Sequence, residues 1–156
     1  KKFFPSIKVE VVYDVCHNIA KIEEYKVDGK IKKVCVHRKG ATPAKRGEKG
    51  IIPANMRDGS FLVLGKGNKK FISSSSHGAG RVMSRKQARE TFSLASFKKE
   101  MEKARVIGNF TEESLDESPL AYKNINQVLD KQKDSIKVLN HLKPFINWQS
   151  ERRHKR

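Results

Sequence analysis

Two strand-like runs, Ile22–Val27 and Ile31–Val36, flank the dipeptide Asp28-Gly29. Asp-Gly between strand-like runs is a strong short-range hairpin signal, because a two-residue turn of this kind needs positive φ at its central positions. The chain is therefore expected to carry an antiparallel hairpin here, with His37-Arg38-Lys39-Gly40 delivered at the end of its second strand. Upstream, Val9–Val15 reads as a short buried strand running into Cys16-His17-Asn18. Downstream, Ser60–Leu64 and Lys70–Ser73 suggest a second hairpin closed by Gly65-Lys66-Gly67-Asn68. Ser84 is a good N-cap for a helix through Arg85–Arg89. Further helices are expected over Ser96–Ala104 and Asn124–Lys131, and a strand over Ile136–Leu142 before Pro144. Mixed strands and helices make the fold class α+β.

Charge narrows the partners. The 156 residues hold 34 Lys and Arg against 17 Asp and Glu, a net charge of +17. Residues 26–50 alone carry nine basic residues and two acidic ones. A field this positive attracts polyanions such as RNA in a salt-dependent way. No apolar run reaches the roughly 18 residues a membrane span needs, so no membrane partner is expected. The two cysteines, Cys16 and Cys35, stand far apart and suit a reducing cytoplasm; if Cys16 lies on a strand, its side chain points opposite to His17 and packs. The chain lacks an initiator Met and is expected to begin inside a longer protein.

Three of the five histidines fall where strands give way to loops: His17, His37 and His77. Any one of them taken alone is more often a hydrogen-bonded surface residue than a catalyst. His77-Gly78-Ala79-Gly80-Arg81 says more. Two glycines around an alanine let the backbone approach an anion closely and form a nest of N–H groups. Arg81 and Arg85 can add charge-assisted bonds to phosphate, and Ser84 opens a helix whose N-terminus adds positive potential. An imidazole at the mouth of such a nest can attack phosphorus and form a phosphoramidate. An ordinary glycine-rich turn would show the same spacing.

A series of blocks carries a resemblance to a known family. They are Asp14–Ala20, His37-Arg38-Lys39-Gly40-Ala41-Thr42-Pro43-Ala44, Ile52-Pro53, Ser76–Arg85 (Ser-His-Gly-Ala-Gly-Arg-Val-Met-Ser-Arg) and Glu117–Lys123. In order and spacing the chain resembles the C-terminal part of RtcB-type RNA-splicing ligases over residues 1–150, with 151–156 left as a basic tail. The resemblance implies a GTP- and Mn²⁺-dependent ligase that joins RNA 3′-phosphate or 2′,3′-cyclic phosphate ends to 5′-hydroxyl ends. His77 then matches the histidine that takes GMP covalently, and His17 a manganese ligand. Asn18, Pro53, Asn55, Ser60, Ala79, Gly80 and Tyr122 match positions around the guanosine nucleotide, Tyr122 packing on the base. Lys39, Arg81 and Arg85 match or adjoin positions that hold RNA phosphate. RNA and the N-terminal half of the same protein are the implied partners, and the cytoplasm the implied location.

The chain also departs from the family pattern. The remaining family metal ligands belong to an upstream segment with an Asp-x-x-Cys pair and two histidines, absent here, which leaves His17 as one ligand of an open site. Asn55 and Arg57 stand where serine and glycine are usual. The stretch Phe145–Ser150 takes the place of the usual terminal Lys-Gly, with Gln149 near the position of the guanine-binding lysine. The loop from His37 to Pro53 is short, as in a compact, divergent subgroup. A non-catalytic relative that binds RNA or GTP is the alternative reading, and a plain basic RNA-binding module a third.

Overall fold

The computed structural model describes residue 6 and residues 13–148. Two ten-residue strands, β1 (Asn18–Val27) and β2 (Lys30–Lys39), form the expected hairpin with Ile22 opposite Cys35. Asp28 and Gly29 both take positive φ, 52° and 79°, as a tight turn matching strand twist requires. The hairpin is longer than the strand-like runs and buries few apolar side chains. On its inner face Glu23, Val36 and Arg38 are buried, while Ile22 and Ile31 lie exposed on the outer one. Of the expected strand Val9–Val15, residues 9–12 lie outside the described part. Residues 13–16 have no regular structure, Cys16 is exposed, and its thiol donates weakly to the Asn18 carbonyl at 3.4 Å. Packing is therefore not the role of Cys16, because no strand exists there to turn it inward.

Three short or medium strands follow: β3 (Ala41–Pro43), β4 (Lys49–Asn55) and β5 (Gly59–Gly65). The expected hairpin between Ser60–Leu64 and Lys70–Ser73 does not form. Asn68 instead caps a 3₁₀ turn at Lys69–Phe71, and Ile72 and Ser73 both adopt positive φ, which reverses the chain. The strand that emerges, β6 (Ser74–Ser76), pairs with β3. Meanwhile β5 pairs with β4 on one side and with β8 (Ile136–Leu142) on the other.

Helices α1 (Arg85–Thr91), α2 (Leu94–Lys103) and α3 (Ile125–Lys131) start at Ser84, Ser93 and Asn124, whose side chains each accept a backbone N–H of the first turn. Ser84 and Gln87 complete a reciprocal capping box. Two residues at Ile107–Gly108 (β7) run parallel to Ile146–Asn147 (β9). The sheet β4-β5-β8 and α3 enclose a core of Ala44, Ile52, Ala54, Phe61, Val63, Ala79, Ile125 and Ile136. A second core joins Met56 to Phe97, Met101, Val106 and Leu115. No helix among the described residues is long and apolar enough to cross a membrane.

What fastens the first hairpin is polar. The Arg38 guanidinium, 2% exposed, donates to both Glu23 carboxylate oxygens at 2.8 and 3.0 Å, to Ser74 Oγ at 2.9 Å and to the Ile72 carbonyl at 3.0 Å. Hydrogen bonds from Arg38, above all, lower the Glu23 carboxyl from its usual 4.5 to about 2. A carboxylate depressed in the folded state stabilises fully above its unfolded value and loses that contribution as pH falls toward the folded one. The Glu23 contribution is accordingly expected to be intact above pH 4.5 and to vanish between there and about pH 2. Arg38→Met, which strands a buried carboxylate, should cost about 3–5 kcal/mol; Glu23→Gln with Arg38→Met should cost less than that single change. Urea unfolding at about pH 7 and at about pH 2, above the unfolded value and at the folded one, measures both. A single variant no less stable than the double one would contradict the pairing.

Candidate active site

Strand pairing brings two distant histidines together. His17 immediately precedes β1, and His77 immediately follows β6. Gly40, at the end of β2, joins them: its N–H donates to the His17 carbonyl at 3.2 Å, and its own carbonyl accepts the His77 N–H at 3.4 Å. The two imidazoles stack with ring centroids 5.2 Å apart and planes 13° from parallel. Gly40 has φ +71°, and a Cβ there would sit 3.8 Å from His77 Nε2. The backbone conformation favours glycine at this point, while a Cβ would meet the imidazole only at ordinary contact distance. His37, the third histidine singled out from sequence, lies on the outer face of the hairpin opposite Ala20 and takes no part in the stack. Asn18 and Lys39 are register partners at the hairpin end beside His17, both exposed.

The glycine-rich turn after His77 is tied down differently from the expected nest. The Ala79 N–H donates to the Pro53 carbonyl at 3.1 Å and the His77 N–H to Gly40, so alternate amides are engaged inside the protein instead of forming an uninterrupted cradle. Gly78 lies against Pro53, where a Cβ would come within 3.1 Å of its carbonyl oxygen. Gly80 takes φ +73° and its carbonyl accepts the Lys123 N–H. Ala79 is buried in the core, and His77 and Gly80 remain exposed.

The arginines are anchored to an acidic pair. Arg81 donates from Nε to the Met83 carbonyl, from one terminal nitrogen to Tyr122 Oη at 3.2 Å, and from the other to the Asp116 carbonyl. Its guanidinium also lies 4.9 Å from the centroid of the Tyr122 ring. Arg81 thus braces the loop, with few donors left for an external phosphate. Arg85 bridges the Asp116 and Glu117 carboxylates at 3.1 Å each, although half its side chain faces solvent. Tyr122 donates its hydroxyl to Glu117, and burial, together with that carboxylate, pushes the phenol up to about 12. Asp116 and Glu117 organise this cluster; the sequence marked only Glu117, as the start of a motif.

The positions matched to the nucleotide, Asn18 apart, divide between two cavities. Pro53, Asn55 and Ser60 line one of about 410 Å³ with Gly59, Leu142 and Asn147. His77, Ala79, Gly80 and Tyr122 line another of about 730 Å³. Asn55 is largely occupied by its own turn: Oδ1 accepts the Arg57 and Asp58 amides, and Nδ2 donates to Asp58. Arg57 is in turn held by Asp58 and Glu100. Gln149 and the 151–156 tail lie outside the described residues.

Among the described residues no three His, Cys, Asp or Glu side chains converge on a point that could hold a metal. His17 can supply one imidazole, but this donor set does not by itself complete a manganese site. Three of the four serines before His77 are committed elsewhere. Ser74 Oγ bonds Arg38 and the Ile72 carbonyl, Ser75 Oγ pairs with Thr42 at 3.1 Å, and Ser76 is held by Gln132. The His77 imidazole, like that of His17, is exposed at this junction.

A family model described as "tRNA-splicing ligase RtcB" matches residues 1–150. A tRNA-splicing ligase RtcB of Nanoarchaeum equitans is 38% identical over 146 residues, covering 83% of this chain and 31% of that protein. The protein of that name from Aeropyrum pernix is 40% identical over 140 residues, 77% of this chain and 28% of its own. An RNA-splicing ligase RtcB of Mycobacterium bovis is 38% identical over 138 residues, 78% of this chain and 32% of its own. The chain thus spans about a third of the length of the curated relatives it matches.

Gly40→Ala is expected to cost about 1 kcal/mol through its positive φ and, by straining the backbone link between His17 and His77, to shift the two rings relative to each other. Thermal unfolding and the imidazole resonances of His17 and His77 read both effects. Unchanged stability with unchanged resonances would contradict the role of Gly40.

Proposed function

Because this chain belongs to the RtcB family of tRNA-splicing ligases, we propose that it forms the nucleophile-bearing part of an RNA ligase working through a histidine–GMP intermediate. The observation that carries this reading is the exposed His77 imidazole, stacked on His17 and followed by a glycine turn, at a junction where Ser74, Ser75 and Ser76 are hydrogen-bonded elsewhere. In this reading His77 Nε2 attacks the α-phosphorus of GTP. A P–N bond forms, the P–O bond to the β-phosphate breaks, and pyrophosphate departs. The GMP then passes to an RNA 3′-phosphate, and a 5′-hydroxyl displaces it to close the strand.

Pro53, Ser60 and Asn18 support the guanosine side of the reaction by position, Ala79 and Gly80 through their backbone. Asn55 contributes less than its position implies, since its amide already closes the 55–58 turn. Mn²⁺, when bound, would neutralise phosphate charge. Among the described residues His17 alone is assigned to it, and further donors must come from other parts of the protein. The stack itself has a chemical use: His17 fixes the His77 ring plane, so the attacking nitrogen keeps one direction. RNA enters as the partner of the positive field, with Lys39 and the exposed half of Arg85 positioned toward its phosphates.

Two outcomes test this. Full-length protein incubated with α-labelled GTP and Mn²⁺ should carry a labelled adduct that is acid-labile and alkali-resistant, as a phosphoramidate is, and that His77→Ala eliminates but His37→Ala does not. Peptide mapping of GMP to one of Ser73 to Ser76, or to His37, would overturn the assignment. Lys39→Ala should lower the slope of log K against log salt for RNA binding by about one unit, as expected when a single phosphate is no longer neutralised. An unaltered slope would remove Lys39 from the interface.

A further inference from the structure

A further cavity, of about 620 Å³, opens between β1 and two loops, the turn at residues 45–48 ahead of β4 and the 3₁₀ turn at Lys69–Phe71. It shares no lining residue with either cavity that holds the positions matched to the nucleotide. Three cations reach it from separate stretches of the chain: Lys45, its neighbour Arg46, and Lys69, all exposed. Two glutamates also border it. Glu23 is already held by both terminal nitrogens of Arg38. Glu24 alternates with Glu23 and Tyr25 along β1, which turns its side chain to the other face of the hairpin. The cavity therefore keeps a positive charge that the fold does not neutralise.

The loops that carry these cations are fastened. In the 45–48 turn the Glu48 N–H donates to the Lys45 carbonyl at 3.0 Å, and the Lys45 N–H donates to the Glu48 carboxylate at 2.9 Å. The Gly47 N–H donates to the Gly65 carbonyl and the Gly67 N–H to the Ala44 carbonyl, both at 2.9 Å, which straps the turn to the end of β5. Gly67, at φ +68°, packs so closely that a Cβ there would lie 2.9 Å from the Arg46 backbone nitrogen. Lys45 Nζ is steered by Glu23 at 3.4 Å, and Lys69 Nζ lies 4.8 Å from the centroid of the Tyr25 ring. The Arg46 side chain has no partner among the described residues, so its whole fork of donors is open, a geometry that matches phosphate oxygens.

We propose that this cavity binds the phosphodiester backbone of the RNA away from the ends being joined, with Arg46 and Lys69 holding the phosphates. The proposal rests on the ligase reading for the identity of the RNA, and it adds where the strand runs. The lining has no Asn or Gln side chain to read a base edge, so the contact is to the backbone and independent of sequence. The route follows from the 3₁₀ turn. Lys69 opens it at this cavity, and Phe71 closes it at the cavity that His77 borders, so a strand with its end at His77 crosses one turn to reach Arg46.

The test is binding of a fluorescent single-stranded RNA to the full-length protein, read by anisotropy over a range of salt. Arg46→Gln with Lys69→Gln should weaken binding about tenfold and lower the slope of log K against log salt by about one unit, as phosphate contacts are lost. Arg46→Lys with Lys69→Arg, which keeps both charges, should restore most of the affinity. Lys98→Gln with Lys99→Gln removes the same charge from the exposed side of α2 and should leave the slope near that of wild type. All variants are compared where circular dichroism shows them folded. The proposal fails if the cavity variant binds as wild type does, or if the α2 variant loses as much, which is the mark of net charge alone. It fails too if inorganic phosphate displaces the RNA as effectively, per phosphate, as unlabelled RNA does. Labelling with α-labelled GTP separates this from the ligase reading, and the cavity variant should form the His77 adduct as wild type does. No adduct in wild type, with the RNA effects intact, would remove the ligase reading and leave the cavity as an RNA site, whereas a normal adduct with no loss of RNA binding would do the reverse.

Discussion

The Arg38–Glu23 pair sits where the first hairpin meets the rest of the protein, and it governs what that hairpin can do. Two ions withdrawn from water lose several kcal/mol of hydration each, which their attraction offsets only with good geometry and full hydrogen bonding. Arg38 meets that condition, with two bonds to the carboxylate and two more to Ser74 and Ile72. The last two bonds reach the segment that becomes β6 and ends in His77. A single guanidinium therefore ties the strand entered from His17 to the strand leading to His77. An apolar surface of the same area would hold the hairpin with less angular definition, because dispersion has no preferred direction and a bidentate fork does. The other links along this seam, Lys45 to Glu23 and Lys69 over Tyr25, are polar as well.

Local chemistry made some of this legible. Asp28-Gly29 specified a turn in which both residues need positive φ, and the hairpin followed. Ser84 with Gln87, and Asn124 before Ile125, marked helix starts because a side-chain acceptor there meets amides that would otherwise lack partners. Partner choice was not legible. A β-rich run such as Ser60–Leu64 states that it will pair, not with what, and its partners proved to be Lys49–Asn55 and the distant Ile136–Leu142. The reversal at Ile72 and Ser73 was hidden because neither residue type advertises a left-handed conformation.

The site divides in the same way. His77 and its glycines were visible as a motif, and so was the position of His17. Their stacking depends on two sheet registers and the Gly40 link, which no local pattern encodes. Arg81 and Arg85 read as free cations because the sequence does not show Asp116 and Glu117 folding back onto them. Asn55 read as a ligand position because its capture by the Arg57 and Asp58 amides needs the turn to exist first. Charge excess favours polyanions in general without telling which lysines stay unpaired.

His77 chemistry should therefore depend on a buried ion pair whose side chains do not touch the imidazole. The direct measurement is the rate of guanylylation of full-length Arg38→Met and wild-type protein, compared under conditions where circular dichroism shows both to be folded. If the clamp sets the histidine pair, the variant should label His77 about tenfold more slowly or worse, the scale of a misplaced attacking group. Arg38→Lys should fall in between, because a lysine can keep part of the hydrogen bonding that the guanidinium makes. Labelling of folded Arg38→Met at the wild-type rate would show that the histidine pair forms without the clamp, and would contradict that dependence.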